Sequence, residues 1–135
     1  MVSPRKLLEK HAGKYSLLTR SYNCTYCGDP ADGFDHVTPI SVVVTLEELG
    51  FQFDKKQLVR CCNECNSLAG RQVFQRVKEK RAWLKARLRK RHKKMLEIPE
   101  WTDKELQEVD YTLRSVLEES LRQKARILRR LAWRR

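Results

Sequence analysis

At 135 residues with 41% hydrophobic content, the chain has material for one modest core, or for a small domain with an extension. A formal net charge of +12 makes a polyanion the natural partner, with nucleic acid ahead of a membrane surface. No apolar run approaches the roughly 20 residues of a membrane span, and residues 1–15 lack the apolar centre of a secretion signal. The expectation is a reducing, cytoplasmic setting without membrane association, where closely spaced cysteines bind metal more often than they form disulfides.

The first predicted element is a helix over residues 4–19, with Pro4 in its first turn and Leu7, Leu8, Leu17 and Leu18 on a loose apolar side. Cys24-Thr25-Tyr26-Cys27 follows, and Gly28-Asp29-Pro30 turns the chain. Gly33 to Val37 reads as a strand ended by Pro39. Between Ser41 and Leu49 the signals compete, because Val42-Val43-Val44 favours a strand while Thr45-x-x-Glu48 resembles a capping box closed by Gly50. We expect an irregular excursion with one helical turn there, then a second strand over Gln57–Cys61 pairing back on the first.

From about Asn63 the pattern is helical to about residue 98, where Pro99 breaks it. Thr102-Asp103-Lys104-Glu105 predicts a capping box opening a second long amphipathic helix through Leu131. The predicted class is therefore α+β, mostly α. It has an N-terminal helical segment (1–22), a cysteine-stapled finger (23–72) and a basic helical extension (73–135).

Two C-x-x-C pairs, Cys24/Cys27 and Cys62/Cys65, supply four thiolates for one tetrahedral, structural zinc. The segment between them is too small to fold on apolar burial alone, which gives the metal a structural purpose. Cys61 reads as a buried strand-end thiol, because Cys62 keeps the ligand spacing. Within the staple, Asp35 offers a hard oxygen suited to Mg²⁺ or Mn²⁺ and His36 an imidazole that can take a proton from water, and just after its last ligand Asn66 offers an amide oxygen. Adjacent residues of a regular strand point to opposite faces, so joint action of Asp35 and His36 requires a bulge or turn between them. His11 and His92 read as surface residues.

Cys24-x-x-Cys27, Asp35-His36-Val37-x-Pro39 and Leu58-Val59-x-x-Cys62-x-x-Cys65-Asn66, with Gly70 after them, resemble the HNH endonucleases of the ββα-metal (His-Me) finger class. The resemblance covers about residues 23–72. It implies a DNA endonuclease in which zinc is structural, His36 is the general base, and Asp35 with Asn66 holds the catalytic cation. The spacing is similar to that of phage endonucleases that resolve branched DNA. Gln57 stands where the family has the Asn that helps fix the loop carrying the base, and it is longer by a methylene. The alternative from another class is a non-catalytic nucleic-acid-binding or assembly protein with the finger as scaffold.

Charge is unevenly distributed. Residues 1–70 balance, 71–96 carry 12 basic residues against one acidic, 97–119 carry two against eight, and 120–135 carry seven against none. An antiparallel hairpin of the two long helices would lay acidic 103–119 beside basic 85–94. It would also return Arg122, Lys124, Arg126, Arg129 and Arg130 towards Arg71, Arg76 and Lys78, as a DNA-binding surface. The competing arrangement pairs the helical stripes between two chains, giving a homodimer through the C-terminal helices.

Overall fold

The computed structural model describes residues 16–17, 21–50 and 57–134. The chain is mostly helical, with one small sheet. Strand β2 (Gly33–His36) pairs antiparallel with β3 (Gln57–Cys61) in the register Phe34↔Arg60, Asp35↔Val59 and His36↔Leu58. Both strands lie where the sequence puts them. The short strand β1 (Ser16–Leu17) runs parallel along the other edge of β3, giving the order β1-β3-β2. Most of the expected opening helix lies outside the described residues, and its last turn is replaced at Ser16 and Leu17 by this pairing.

Helix α1 (Ile40–Glu48) is longer than the single turn expected between the strands. Thr45 does not cap it; the helix starts after Pro39, and Gly50 follows its end with φ +93°. Val43 is fully buried, so burial of one face outweighs the weak helix propensity of the three valines.

The expected helix over 63–98 is divided into α2 (Asn63–Ala69), α3 (Val77–Arg91) and the single turn α4 (Lys93–Leu96). Gly70, with φ +51°, ends α2 in a conformation costly for any other residue. Residues 71–76 then cross to α3, tied down by Thr38 Oγ1 donating to the Phe74 carbonyl at 2.6 Å. Phe74 packs on Trp83, with ring centroids 5.5 Å apart.

Helix α3 covers the inner face of the sheet. Leu84 and Leu88 are buried with Tyr26, Val37, Val59 and the cysteines in one core cluster. Each leucine buried this way contributes about 1.5–3 kcal/mol. The expected capping box forms at Thr102 and Glu105 but opens only the short α5 (Asp103–Gln107). Asp110 then caps the long α6 (Tyr111–Ala132), its Oδ1 accepting from the Leu113 amide at 2.9 Å.

Helix α6 returns antiparallel along α4 and α3, as expected. Lys124 Nζ donates to the Ile98 carbonyl at 2.6 Å, Ile127 is buried, and the Arg134 carbonyl accepts from Arg81 Nη1 at 3.3 Å. The pairing of acidic 103–119 with basic 85–94 does not occur; among the described residues no ion pair joins them. Length explains the miss, since α6 is about 33 Å long and α3 about 22 Å at 1.5 Å per residue. The first turns of α6 outrun their partner and leave Tyr111, Leu113 and Val116 exposed.

Candidate functional site

The two cysteine pairs meet because each sits in a tight local structure. Gly28, with φ +80°, closes the first knuckle by donating to the Cys24 carbonyl at 2.9 Å, and Cys24 N–H donates to the Asp29 carbonyl at 2.6 Å. At the second knuckle Cys62 is the N-cap of α2, its sulfur accepting from the Cys65 amide at 3.4 Å. The four ligand atoms lie within 4.8 Å of one another and all four residues are buried. Cys27 and Cys62 sulfurs are 3.6 Å apart, close to the roughly 3.8 Å between ligands of a tetrahedral site with bonds of about 2.3 Å.

The protonation of the cluster also fits a cation. Hydrogen bonds from Cys24, Cys27 and Cys65 hold Cys62 below the ordinary thiol range. Cys27 and Cys65 lie above it, first through their bonds to Cys24, and Cys24 is pushed up to about 11. A buried tetrad by itself thus keeps most of its protons; four thiolates need a dication at their centre. These donors suit a structural zinc with no open coordination position. Cys61 is buried outside the tetrad, its thiol donating to the Cys62 carbonyl at 3.3 Å, as the sequence suggests.

A second layer comes from α6. Arg130 is almost wholly buried, with Nη2 3.9 Å from the Cys62 sulfur, Nη1 on Glu64, and Nε 3.3 Å from Asp29. Burial works against its charge, but the Cys27 thiol and the Glu64 carboxylate outweigh that and hold it firmly protonated. Glu64 also accepts from His92 at 3.0 Å, which makes His92 a half-buried network residue rather than a surface one.

The sheet separates the residues expected to act together. The β2–β3 register runs unbroken, so no bulge turns Asp35 and His36 to one side. Asp35 faces the core, where its Oδ2 accepts from Tyr26 Oη at 2.6 Å and pairs with Lys80 Nζ at 2.7 Å. A divalent cation at that oxygen would have to displace a buried ammonium. Asn66 is exposed on α2, three residues past the start, and Cys62 rather than Asn66 caps the helix. As arranged, Asp35 and Asn66 do not fit a Mg²⁺ or Mn²⁺ site, and among the described residues the cysteine tetrad is the only cluster of three or more His, Cys, Asp or Glu side chains.

His36 stands on the outer face with Phe34, Leu58 and Arg60. Burial lowers its pKa, opposed by the charge of Asp35 and assisted by Lys80, so the imidazole is neutral near pH 7. Gln57 occupies the first position of β3, opposite Ser16 of β1.

The expected basic surface divides in two. Arg71, Arg76 and Lys78 are exposed and enter no ion pair among the described residues, and Arg129 is exposed as well. Arg122 bonds Glu119 within its own helix at 2.8 Å. Lys124 is held by Ile98 and Glu100, Arg126 bonds Asp29 at 2.6 Å, and Arg130 is interior. Arg126 and Arg130 thus hold α6 to the finger and Lys124 holds it to the 98–100 connection, so all three are engaged within the fold rather than set out for phosphate.

Sequence reasoning missed Lys80, Glu64 and Arg60. Lys80 stands between Val77 and Leu84 in the buried stripe of α3, a position that already asks for an acidic partner. Arg130 holds a like place beside Ile127 in α6. No family model, curated protein or solved structure matches this chain.

Proposed function

We propose that the chain is a zinc-stapled DNA endonuclease of the HNH type, hydrolysing phosphodiester bonds with His36 as the general base. One observation carries the reading: four buried cysteines pin the hairpin that bears a neutral, part-buried imidazole on its outer face. A neutral imidazole can take the proton of an attacking water and leave hydroxide to attack phosphorus, while one ester P–O bond breaks and the departing oxygen takes a proton from solvent. Arg60, on the same face and diagonal to His36 in the ladder, is a cation suited to the charge growing on the phosphate. Zinc supplies only the fold. Asp35 is committed to Lys80 and Tyr26, so the chain's own part in the reaction rests on His36 and Arg60.

The buried Asp35–Lys80 pair favours one second reading, a non-catalytic nucleic-acid-binding module in which Asp35 only stabilises the hairpin. Incubating supercoiled and branched DNA with wild type and His36→Ala, with and without added Mg²⁺, separates the two. The expected outcome is cleavage by wild type and a loss of ~10²–10⁴-fold in the variant with DNA binding retained. Equal cleavage by both proteins, or none by either, leaves the binding module.

A further inference from the structure

We infer that the outer face of the sheet carries a subsite for unpaired nucleotides, built from Tyr22, Phe34 and Arg60. The Arg60 guanidinium carbon lies 4.7 Å from the Tyr22 ring centre and 5.0 Å from that of Phe34. The arginine thus lies over two aromatic rings at once. Both rings are largely open to solvent, Tyr22 at 77% and Phe34 at 52% of full exposure. Two open rings against one arginine form a contiguous patch rather than singly exposed side chains.

Beyond the two rings, the Arg60 guanidinium has no hydrogen-bond acceptor or ion-pair partner among the described residues. Its Nε is buried without a hydrogen bond, and among the described residues the guanidinium enters no ion pair. A part-exposed guanidinium with no acceptor among the described residues is a charge that a ligand oxygen can pair with. The arrangement calls for a ligand with an anionic oxygen between two flat apolar groups. A phosphate bonded to the guanidinium edge, with neighbouring bases stacked on the outer faces of Tyr22 and Phe34, meets each demand.

Duplex DNA does not, because its bases are already stacked on one another. The occupant is therefore single-stranded nucleic acid or the unpaired strand of a branch, and the +12 chain attracts it. Phe34 and His36 are two residues apart on one strand and share the outer face, so a strand seated here runs past the imidazole. The subsite rests on the nucleic-acid partner proposed above and gives it a substrate class; it does not depend on cleavage.

The test is fluorescence anisotropy on the full zinc-loaded chain without magnesium. The probes are an oligothymidylate of about 12 nucleotides and a duplex of matched length. Tyr22→Ala and Phe34→Ala should each weaken single-strand binding by roughly 5- to 100-fold, with duplex binding unchanged. Phe34→Trp should retain it. Arg60→Ala should flatten the single-strand salt slope by about 0.7. Unchanged zinc content in every variant rules out unfolding as the cause, which the exposure of both rings makes expected. Wild-type single-strand affinity in the alanine variants, or equal losses on both probes, overturns the subsite. A wild-type protein that binds neither probe overturns the nucleic-acid reading itself.

Discussion

Asp35 and His36 are neighbours in the chain, and the strand sends them to opposite environments. Asp35 and Lys80 form a buried ion pair completed by Tyr26, and removing one partner of such a pair leaves the other charge uncompensated. Lys80→Met should therefore cost about 3–5 kcal/mol in urea unfolding. A loss below about 1 kcal/mol would mean that water already reaches the pair. His36 carries the opposite sign of linkage to a salt-bridged histidine. Its folded pKa is lowered, so the unfolded chain binds the proton more tightly and acidification favours unfolding. The stability it contributes is complete above the ordinary imidazole range near ~6.5 and is lost as pH falls through that range. Comparing urea midpoints at pH 8 and pH 5, His36→Gln should show a smaller drop than wild type; an identical drop would place the titration elsewhere. The dipeptide itself was legible in the sequence. Its partner Lys80 was not, because a lysine 45 residues away becomes a neighbour only once α3 lies across the sheet.

Among the elements, the docking of α6 on the two cysteine knuckles is the decisive contact. Arg130 reaches the Cys62 sulfur, Arg126 holds Asp29, and Trp133 packs so closely over Gly28 that any Cβ there would run into the indole. Groups bonded to metal ligands commonly tune metal affinity by 10–100-fold. Arg130→Ala should accordingly release zinc to a chromogenic chelator roughly 10–100-fold faster than wild type, while Arg129→Ala, on the exposed side of the same helix, should not. Equal release from both variants would show α6 to be a bystander. Gly28→Ala should loosen the same contact, through strain at φ +80° and through the collision with Trp133. Element types were largely readable, since strands, caps and amphipathic stripes are local. Where helices break was not. Gly70 and Asp110 act as stops and starts inside periodic stretches, and the periodicity continues across them. The three valines of α1 show the converse, where tertiary burial overrides local preference.

For the whole molecule, the distribution of charge matters more than its total. The cations that hold α6 in place are withdrawn from any ligand, which leaves Arg71, Arg76 and Lys78 as the exposed group at the junction of finger and extension. Replacing all three with alanine should reduce the slope of log affinity against log salt on duplex DNA by up to about 2.7, near 0.9 per lost phosphate contact. An unchanged slope would move the duplex surface elsewhere. Charge blocks along the sequence identified this region but could not tell a cation bound to Glu64 from one facing solvent. The hairpin bearing His36, the seat of Arg130 and the outer face of the sheet all hang from the cysteine tetrad. Native mass spectrometry of the intact chain tests that directly. The expected spectrum shows one zinc per chain in the folded charge states, with Cys62→Ser shifted to metal-free, unfolded ones. A compact wild-type chain carrying no metal would contradict it.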